Sequence, residues 1–270
     1  MISGIFDSHC HYDDSAFDED RYELLDRLLV GEGHPVDKMV HAATDERSSL
    51  FGIETAKRYE NYYTSIGFHP ENTAEVGEGY METLERLYEQ AAAVHKLVAV
   101  GEIGLDYHYE GYDREKQIRL FTDQIRFAVT KSLPVIVHCR DAVEDCMEIL
   151  KKYRPEGVMH CFSGSAETAR EVVELGMYIG FTGALAFKNA KKPRRACEAV
   201  PMERLLLETD CPYMAPPPYR GMRSDSSMIA ETAKVMAEVK GLDVEKVIEI
   251  TNSNACTLFG IKGDAEEIFY

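Results

Sequence analysis

The sequence predicts an α/β fold, a TIM-type (β/α)8 barrel that forms one domain over residues 1–270. Short apolar runs alternate with amphipathic segments along the whole chain, and eight runs have the length and the Val and Ile content of strands buried on both faces. Several of these runs end in His, Glu or Asp, which places metal-ligand side chains at one rim of the sheet. The length agrees, because about 250 residues is usual for one such barrel.

The predicted strands and helices follow one another as βα units. The strands cover residues 2–7, 38–43, 62–67, 97–102, 134–138, 157–161, 177–182 and 205–209. Apolar residues at i, i+3 and i+4 spacing predict helices packed outside them, over residues 21–29, 49–58, 81–93, 114–131, 143–153, 166–175, 228–240 and 244–259. An open doubly wound sheet is the competing fold. It usually carries a Gly-rich phosphate loop after its first strand, where this chain has His9, Cys10 and His11.

Composition and charge restrict the class of protein. No apolar stretch reaches the roughly 20 residues that span a bilayer, and the first residues lack the basic region and cleavage site of a signal peptide. Seven scattered cysteines without a CxxC pair favour a reducing compartment, so we expect a cytoplasmic protein with no membrane association and no stable protein partner. The formal net charge of −17 argues against electrostatic coating of duplex DNA, but it is compatible with a nuclease that grips phosphates through metal ions.

The first candidate ligands are His9 and His11. Side chains at i and i+2 of an extended segment point to the same side, so both imidazoles can reach one cation. A His-x-His pair alone often arises by chance on a surface. Four further ligand-type residues at strand ends favour a metal site.

Glu102 lies in an apolar strand between Gly101 and Ile103. A carboxylate is costly to bury without a partner. A pair of metal ions is a suitable partner, because one carboxylate can bridge both, and the alternative is a buried pair with Lys or Arg. Glu102 is therefore a predicted metal ligand and catalytic group.

His138, His160 and Asp210 complete the predicted ligand set. Either histidine could instead be a core residue, but both end consecutive strands. Asp210 ends the eighth strand and is the natural general base for an activated water. Glu208, two residues earlier, should point to the same side but deeper, where it would orient a ligand.

The donor set predicts two divalent ions, Mg, Mn or Zn, between which the sequence does not choose. Imidazole and carboxylate ligands suit several such metals, and six candidates exceed one tetrahedral site. The cysteines are not expected to bind the ions. Those that directly follow ligands should face the helix layer as small buried hydrophobes, because adjacent residues of a strand point to opposite sides: Cys10, Cys139, Cys161 and Cys211.

Several motifs together resemble the TatD family of metal-dependent deoxyribonucleases in the amidohydrolase superfamily. They cover nearly the whole chain in the expected order: Phe6-Asp7-Ser8-His9-Cys10-His11, Gly67-Phe68-His69-Pro70, Gly101-Glu102-Ile103-Gly104-Leu105-Asp106-Tyr107, Val137-His138-Cys139-Arg140-Asp141-Ala142, His160-Cys161-Phe162-Ser163-Gly164 and Leu206-Leu207-Glu208-Thr209-Asp210-Cys211-Pro212-Tyr213. One motif differs. Family members tend to read Arg-Gly-Lys-Arg-Asn-Glu-Pro where this chain has Arg220-Gly221-Met222-Arg223-Ser224-Asp225-Ser226, and the difference bears on substrate preference.

The resemblance implies a two-metal site and phosphodiester hydrolysis, with single-stranded nucleic acid or a short oligonucleotide as substrate and 3′→5′ exonuclease action. It implies one ion on His9, His11, Glu102 and Asp210, and a second on Glu102, His138 and His160. Arginine forks match phosphate, so Arg140, Arg220 and Arg223 are candidate phosphate ligands, with structural ion pairs as the alternative. His69 is expected to contact a phosphate or the leaving group, and Asp106, like Glu208, to support a metal ligand.

Two other functions remain open from the sequence. The same metal centre could serve an amidohydrolase that attacks a small amide, ester or lactone, a reading that the acidic surface favours. That branch often bridges its metals with a carbamylated lysine, whereas the fourth strand here presents Glu102. The third reading is a non-catalytic metal-stabilised scaffold, although a scaffold has no need of the complete ligand set.

Overall fold

The computed structural model describes residues 2–262 and confirms the predicted TIM barrel. Eight parallel strands pair in the order of the chain. They are β1 (Ile5–Cys10), β2 (Val36–His41), β3 (Tyr62–Ile66), β4 (Leu97–Asp106), β5 (Val135–Arg140), β6 (Gly157–Met159), β7 (Tyr178–Phe181) and β8 (Leu205–Leu207). A parallel bridge between Cys10 and Cys211 joins the first strand to the segment after the last. Residues 1 and 263–270 of the predicted domain lie outside the described residues.

Within the described chain, nine α-helices accompany the strands. They are α1 (Arg21–Leu29), α2 (Glu46–Arg58), α3 (Tyr80–Ala92), α4 (Arg114–Lys131), α5 (Val143–Tyr153), α6 (Ala166–Glu174), α7 (Lys191–Ala199), α8 (Ile229–Lys240) and α9 (Val244–Phe259). Helix α7 was not predicted, since it buries only Ala196 and Cys197 and so lacks a clear apolar period. None of these helices combines the length and the apolar character needed to cross a bilayer.

Apolar side chains fill the barrel near the starts of its strands. This inner cluster is closed by the end of α9, whose Phe259 stacks on Phe6 with ring centroids 6.2 Å apart. Its buried strand members are Phe6, Val40, Val98, Ala99, Ile136, Val158, Tyr178 and Leu206. A larger cluster packs the outer strand faces against the helices. Because the N-terminal end of the barrel is filled, polar groups collect at the C-terminal ends of the strands.

Three of the four cysteines next to predicted ligands face the helix layer, as expected. Cys10 and Cys211 are fully buried in the outer cluster, and Cys139 packs against it. Cys161 differs, because its Sγ lies 3.5 Å from Thr182 Oγ1 at the barrel rim. Strand β6 already ends at Met159, so strand alternation does not apply to Cys161, which has a φ of +43°.

Candidate metal centre

The predicted ligands come from five strands and the loops that follow them. His9, Glu102 and His138 lie within β1, β4 and β5. Strands β6 and β8 are only three residues long, so His160 and Asp210 stand on the loops just beyond them. The shared C-terminal rim brings residues from the whole length of the chain to one place.

Glu102 lies at the centre of this site. Its side chain is 4% exposed, and its two oxygens face different histidines. Oε1 lies 2.7 Å from His160 Nε2, 2.9 Å from His138 Nδ1 and 3.3 Å from His69 Nε2, whereas Oε2 lies 3.2 Å from His9 Nε2 and 3.5 Å from His11 Nε2. The Glu102 carboxylate is thus in contact with all five of these imidazoles.

Asp210 approaches the same centre from the opposite wall. Its Oδ1 lies 3.3 Å from His11 Nε2 and 3.7 Å from His9 Nε2. Among residues 2–262, three overlapping groups of donor atoms could each hold an ion: His9 with Glu102 and His160, His9 with His11 and Asp210, and His69 with Glu102 and His138. His69, predicted to contact substrate, therefore also lies among the candidate ligands.

The donor atoms are spaced as metal ligands are. Ligand atoms at about 2.0–2.2 Å from a common ion must lie about 3–3.6 Å from one another, which is close to the separations around Glu102 and Asp210. His9 Nε2 and His11 Nε2 lie 3.0 Å apart. Two ring nitrogens at this distance can either share one proton or both bind the same cation. Imidazole and carboxylate oxygen together suit zinc, manganese and related ions, so the residues fit the implied metals.

The centre buries ionised carboxylates, and a bound ion would displace the proton that its more basic histidine carries. Burial lowers the pKa of His9 to about 3, which keeps its ring neutral with a lone pair available. Burial also acts to lower the pKa of His11, but its bond to Asp210 and the charge of Glu102 raise that pKa to about 9. Burial acts to raise the pKa of Glu102, yet the surrounding histidines, His160 first, hold it well below its usual range. The centre therefore buries ionised carboxylates, which need positive charge beside them.

Asp106 contacts His138 on the side of the ring that faces away from Glu102. The Nδ1 atom of His138 faces Glu102, and its Nε2 lies 2.9 Å from Asp106 Oδ2. Gln117 fixes the Asp106 backbone by two hydrogen bonds of 2.8 Å. A carboxylate on the far nitrogen of a histidine orients the ring and makes it a better metal ligand. Gly104 permits this pairing of β4 with β5, because a Cβ at that position would overlap with the backbone of His138.

Glu208 holds the segment that carries His160. It is fully buried, and its Oε1 accepts a hydrogen bond from the Cys161 amide and lies 3.8 Å from His160 Nδ1. Ser8 Oγ donates to its Oε2 at 3.3 Å. Burial raises the pKa of Glu208 to about 7. Gly180 leaves the space for this carboxylate, since a Cβ there would overlap with it.

A second buried carboxylate, Asp7, was not identified from the sequence. It accepts four hydrogen bonds, from Ser226 Oγ (2.6 Å), Thr209 Oγ1 (2.7 Å), Thr209 N (3.0 Å) and His9 N (3.2 Å). Tyr12 contacts Ser226 in turn, with its hydroxyl 2.8 Å from Ser226 Oγ. Asp7 therefore ties the strand that carries His9 to the segment that precedes Asp210. The signal was an acidic residue within an apolar strand, the same signal that identified Glu102.

The three predicted phosphate-binding arginines differ in their surroundings. Arg140 is exposed at the end of β5 and lies 5.3 Å from the centre of the Tyr109 ring, and Arg220 lies 3.7 Å from that of Phe187. Neither makes an ion pair with any residue in the range 2–262. Arg223 instead forms a two-pronged pair with Asp20, at 2.7 and 2.6 Å. The structure thus brings the six predicted ligands together but pairs Arg223 with Asp20.

Comparison with known proteins agrees with this geometry. The family model described as TatD related DNase matches residues 6–260. The "Uncharacterized metal-dependent hydrolase YabD" of Bacillus subtilis is 38% identical, with 95% of this chain and 99% of that protein covered. The "3'-5' ssDNA/RNA exonuclease TatD" of Cronobacter sakazakii is 32% identical over 94% and 97% of the two chains.

Similarity extends to solved structures. The crystal structure of the TatD homologue YJJV from Escherichia coli K12 superimposes with a TM-score of 0.89 at 30% identity, over 97% of this chain and all of that one. The barrel, the metal-ligand cluster and the match along nearly the whole described chain lead to one conclusion. The chain belongs to the TatD-related DNase family of metal-dependent hydrolases that act on ester bonds.

Proposed function

We propose that the chain hydrolyses phosphodiester bonds of single-stranded DNA or RNA from the 3′ end, with two divalent ions bound at the centre described above. The observation that carries this proposal is the position of Glu102, whose Oε2 faces His9 and His11 while its Oε1 faces His138 and His160. A carboxylate so placed is suited to bridge two ions. Asp210 completes the first ligand group through its contacts with His9 and His11.

The bound ions would supply charge to polarise the phosphoryl oxygen and to lower the pKa of a water molecule. Asp210 is the best-placed proton acceptor among the described carboxylates of the centre. Its side chain is 16% exposed, against 4% for Glu102, so it can pass a proton to solvent. Burial acts to raise the pKa of Asp210, but the bond to His11 and the nearby His160 lower it, which keeps the carboxylate ionised and able to accept.

Arg140 and Arg220 are available to hold phosphate oxygens, because neither is engaged by a carboxylate within the described residues. Arg223 is paired with Asp20. To hold a phosphate, its guanidinium would have to release Asp20 or donate to Asp20 and the phosphate together. The relative from Cronobacter sakazakii, whose name states 3′-5′ exonuclease action on single-stranded DNA and RNA, supports both the substrate class and the polarity.

The test is digestion of end-labelled single-stranded DNA by the purified protein with Mg²⁺ or Mn²⁺, beside Asp210→Ala. We expect a ladder that shortens from the 3′ end, and no ladder with the variant, whose folding is checked by thermal unfolding. Retained turnover by Asp210→Ala would remove Asp210 as the proton acceptor. Absence of cleavage by the metal-loaded wild type would favour the amidohydrolase reading, in which the same centre attacks a small amide, ester or lactone.

A further inference from the structure

The chain concentrates positive charge in the segment after β7. Five basic residues fall within eight positions: Lys188, Lys191, Lys192, Arg194 and Arg195. No acidic residue occurs between Glu174 and Glu198. In a chain with a formal charge of −17, such a basic segment stands out from its surroundings.

The segment lies on the same rim as the metal centre. It follows the C-terminal end of β7, where Thr182 contacts Cys161, the neighbour of His160, with 3.5 Å between the thiol and the hydroxyl. Lys188 is six positions beyond Thr182, a distance along the chain of at most about 20 Å. Lys188 and the lysines after it are therefore within reach of a single-stranded nucleic acid whose end is bound at the metal centre.

The loop between β8 and α8 joins this surface. The guanidinium of Arg220 lies over the ring of Phe187, 3.7 Å from its centre, and Phe187 directly precedes Lys188. Gly183 packs so closely against Met214 and Pro216 that a Cβ would overlap with that loop. The β7–α7 and β8–α8 loops therefore pack against each other. Their four exposed cations are called the basic arc: Lys188, Lys191, Lys192 and Arg220.

The charges of the basic arc are not explained by local stability. Lys188, Lys191 and Lys192 are exposed, and no carboxylate of residues 2–262 pairs with them or with Arg220 at ion-pair distance. Lys191 and Lys192 occupy the first turn of α7, which contains no acidic residue. Cations are unfavourable at a helix N-terminus, so these lysines cost the helix stability unless an anion is bound nearby.

Other parts of the rim carry the opposite charge. The loop after β1 contains Asp13, Asp14, Asp18, Glu19 and Asp20, and the loop after β4 contains Glu110 and Asp113. Of these, only Asp18 and Asp20 pair with arginines, namely Arg21 and Arg223, among the described residues. A polyanion that enters the centre is repelled on those sides and attracted towards the basic arc.

We propose that the basic arc binds the phosphates of the single-stranded nucleic acid a few nucleotides away from the bond being cleaved. This rests on the proposed function, and it assigns the β7–α7 and β8–α8 loops as the path of the strand. Single-stranded nucleic acid is the occupant that fits, because its phosphates are regularly spaced along a flexible chain and can follow a curved rim. The arc should make the enzyme prefer strands long enough to reach it.

The test is binding of a fluorescent 12-nucleotide single-stranded DNA, followed by anisotropy over a range of salt concentrations. All proteins carry Asp210→Ala and bound Mn²⁺, so that the strand is not consumed. One variant adds Lys188→Gln, Lys191→Gln and Lys192→Gln. The matched control adds Lys57→Gln, Lys152→Gln and Lys246→Gln, which make the same change in net charge at exposed helical positions away from the β7–α7 loop.

Each phosphate neutralised on a single strand contributes about 0.7 to the slope of log K against log salt. The arc variant should therefore lower the magnitude of that slope by about 2 and weaken binding at low salt, while the control keeps the wild-type slope. A dinucleotide, too short to reach the arc, should bind all three proteins equally. Equal slopes for the arc variant and the control would overturn the proposal.

Failure of the proposed function is distinguishable from failure of this inference. If the wild type cleaves no nucleic acid but the arc variant loses salt-dependent binding, the inference holds and the proposed reaction does not. If the wild type cleaves single strands and the arc variant binds them as the control does, the reaction holds and the inference fails. If the wild type neither cleaves nor binds the strand, both are overturned.

Discussion

Replacing Ser226 by Ala tests the network that joins the two walls of the metal centre. Ser226 is fully buried. Its hydroxyl donates to Asp7 Oδ2 at 2.6 Å and lies 2.8 Å from the Tyr12 hydroxyl. Removal of the hydroxyl leaves Asp7 with three donors. The Tyr12 hydroxyl then keeps its hydrogen bond from the Ser226 amide, at 3.0 Å.

The size of the effect follows from the charge of the acceptor. A hydrogen bond to a charged group contributes about 1.5–3 kcal/mol, so we expect Ser226→Ala to lower the free energy of unfolding by about 2–3 kcal/mol. For a chain of this size, each kcal/mol lowers the Tm by about 2–4 °C. The matched control is Ser227→Ala, because the Ser227 hydroxyl bonds only to Asp225 in its own turn and should change stability by less than about 1 kcal/mol.

The effect should depend on pH in a defined direction. Burial raises the pKa of Asp7 from 3.8 to about 6, and the Ser226 hydrogen bond opposes that rise. The stability that Asp7 contributes is therefore fully present below about pH 3.8 and is lost as the pH rises through about 6. Without Ser226 the folded-state pKa rises further and the loss at high pH is larger. The difference between variant and wild type should thus be larger at pH 8 than at pH 5.

The assay is urea unfolding of both variants and the wild type at pH 5 and pH 8, with a chelator present so that metal binding does not contribute. Equal destabilisation by Ser226→Ala and Ser227→Ala would refute the assigned network. The same destabilisation at both pH values would show that the hydroxyl does not stabilise an ionised Asp7.

Three further predictions concern the centre and its rim. Glu102→Gln should reduce the bound metal from two ions towards one, measured by elemental analysis, and two ions retained would contradict the bridging role. Asp106→Asn should weaken metal affinity by about 10–100-fold in a metal titration, since the ring of the histidine it supports loses its orientation, and an unchanged affinity would argue against that support. Arg223→Ala should raise KM for an oligonucleotide more than for a small phosphodiester. The control is Asp20→Ala, which breaks the same ion pair but keeps the arginine and should leave the KM for the oligonucleotide unchanged. Equal effects of the two variants would assign Arg223 a structural role.

The fold and the ligand cluster were predictable because their signals are local. An apolar run followed by His, Glu or Asp identifies both a strand and the group at its end, and parallel strands deliver such ends to one rim. The alternation rule failed where its premise failed, at Cys161, because β6 stops two residues earlier. Helix α7 escaped prediction because its sequence lacks the repeating apolar residues of an amphipathic helix. Its first positions are Lys191, Lys192 and Pro193.

Partners far apart in the sequence were not predictable. Asp7 meets Thr209 and Ser226 across more than 200 residues, and Arg223 meets Asp20 across 203. No pattern within a single segment indicates such contacts. The argument that an acidic side chain in a buried strand needs partners applies to Asp7 as it does to Glu102, but it does not say which residues those partners are.

The distribution of charge connects the acidic composition with the proposed reaction. Two divalent ions would add four positive charges at the centre, while the chain as a whole would stay strongly acidic, since it starts from −17. Long-range attraction to a polyanion is then weak, and binding depends on short-range contacts at the ions and along the basic arc. Such an enzyme should act on strand ends and short strands rather than coat a polymer. We therefore expect kcat/KM to rise with the length of the single strand only until the strand reaches Lys192, and to stay constant beyond that length. A continued rise with length would show that a larger basic surface guides the substrate.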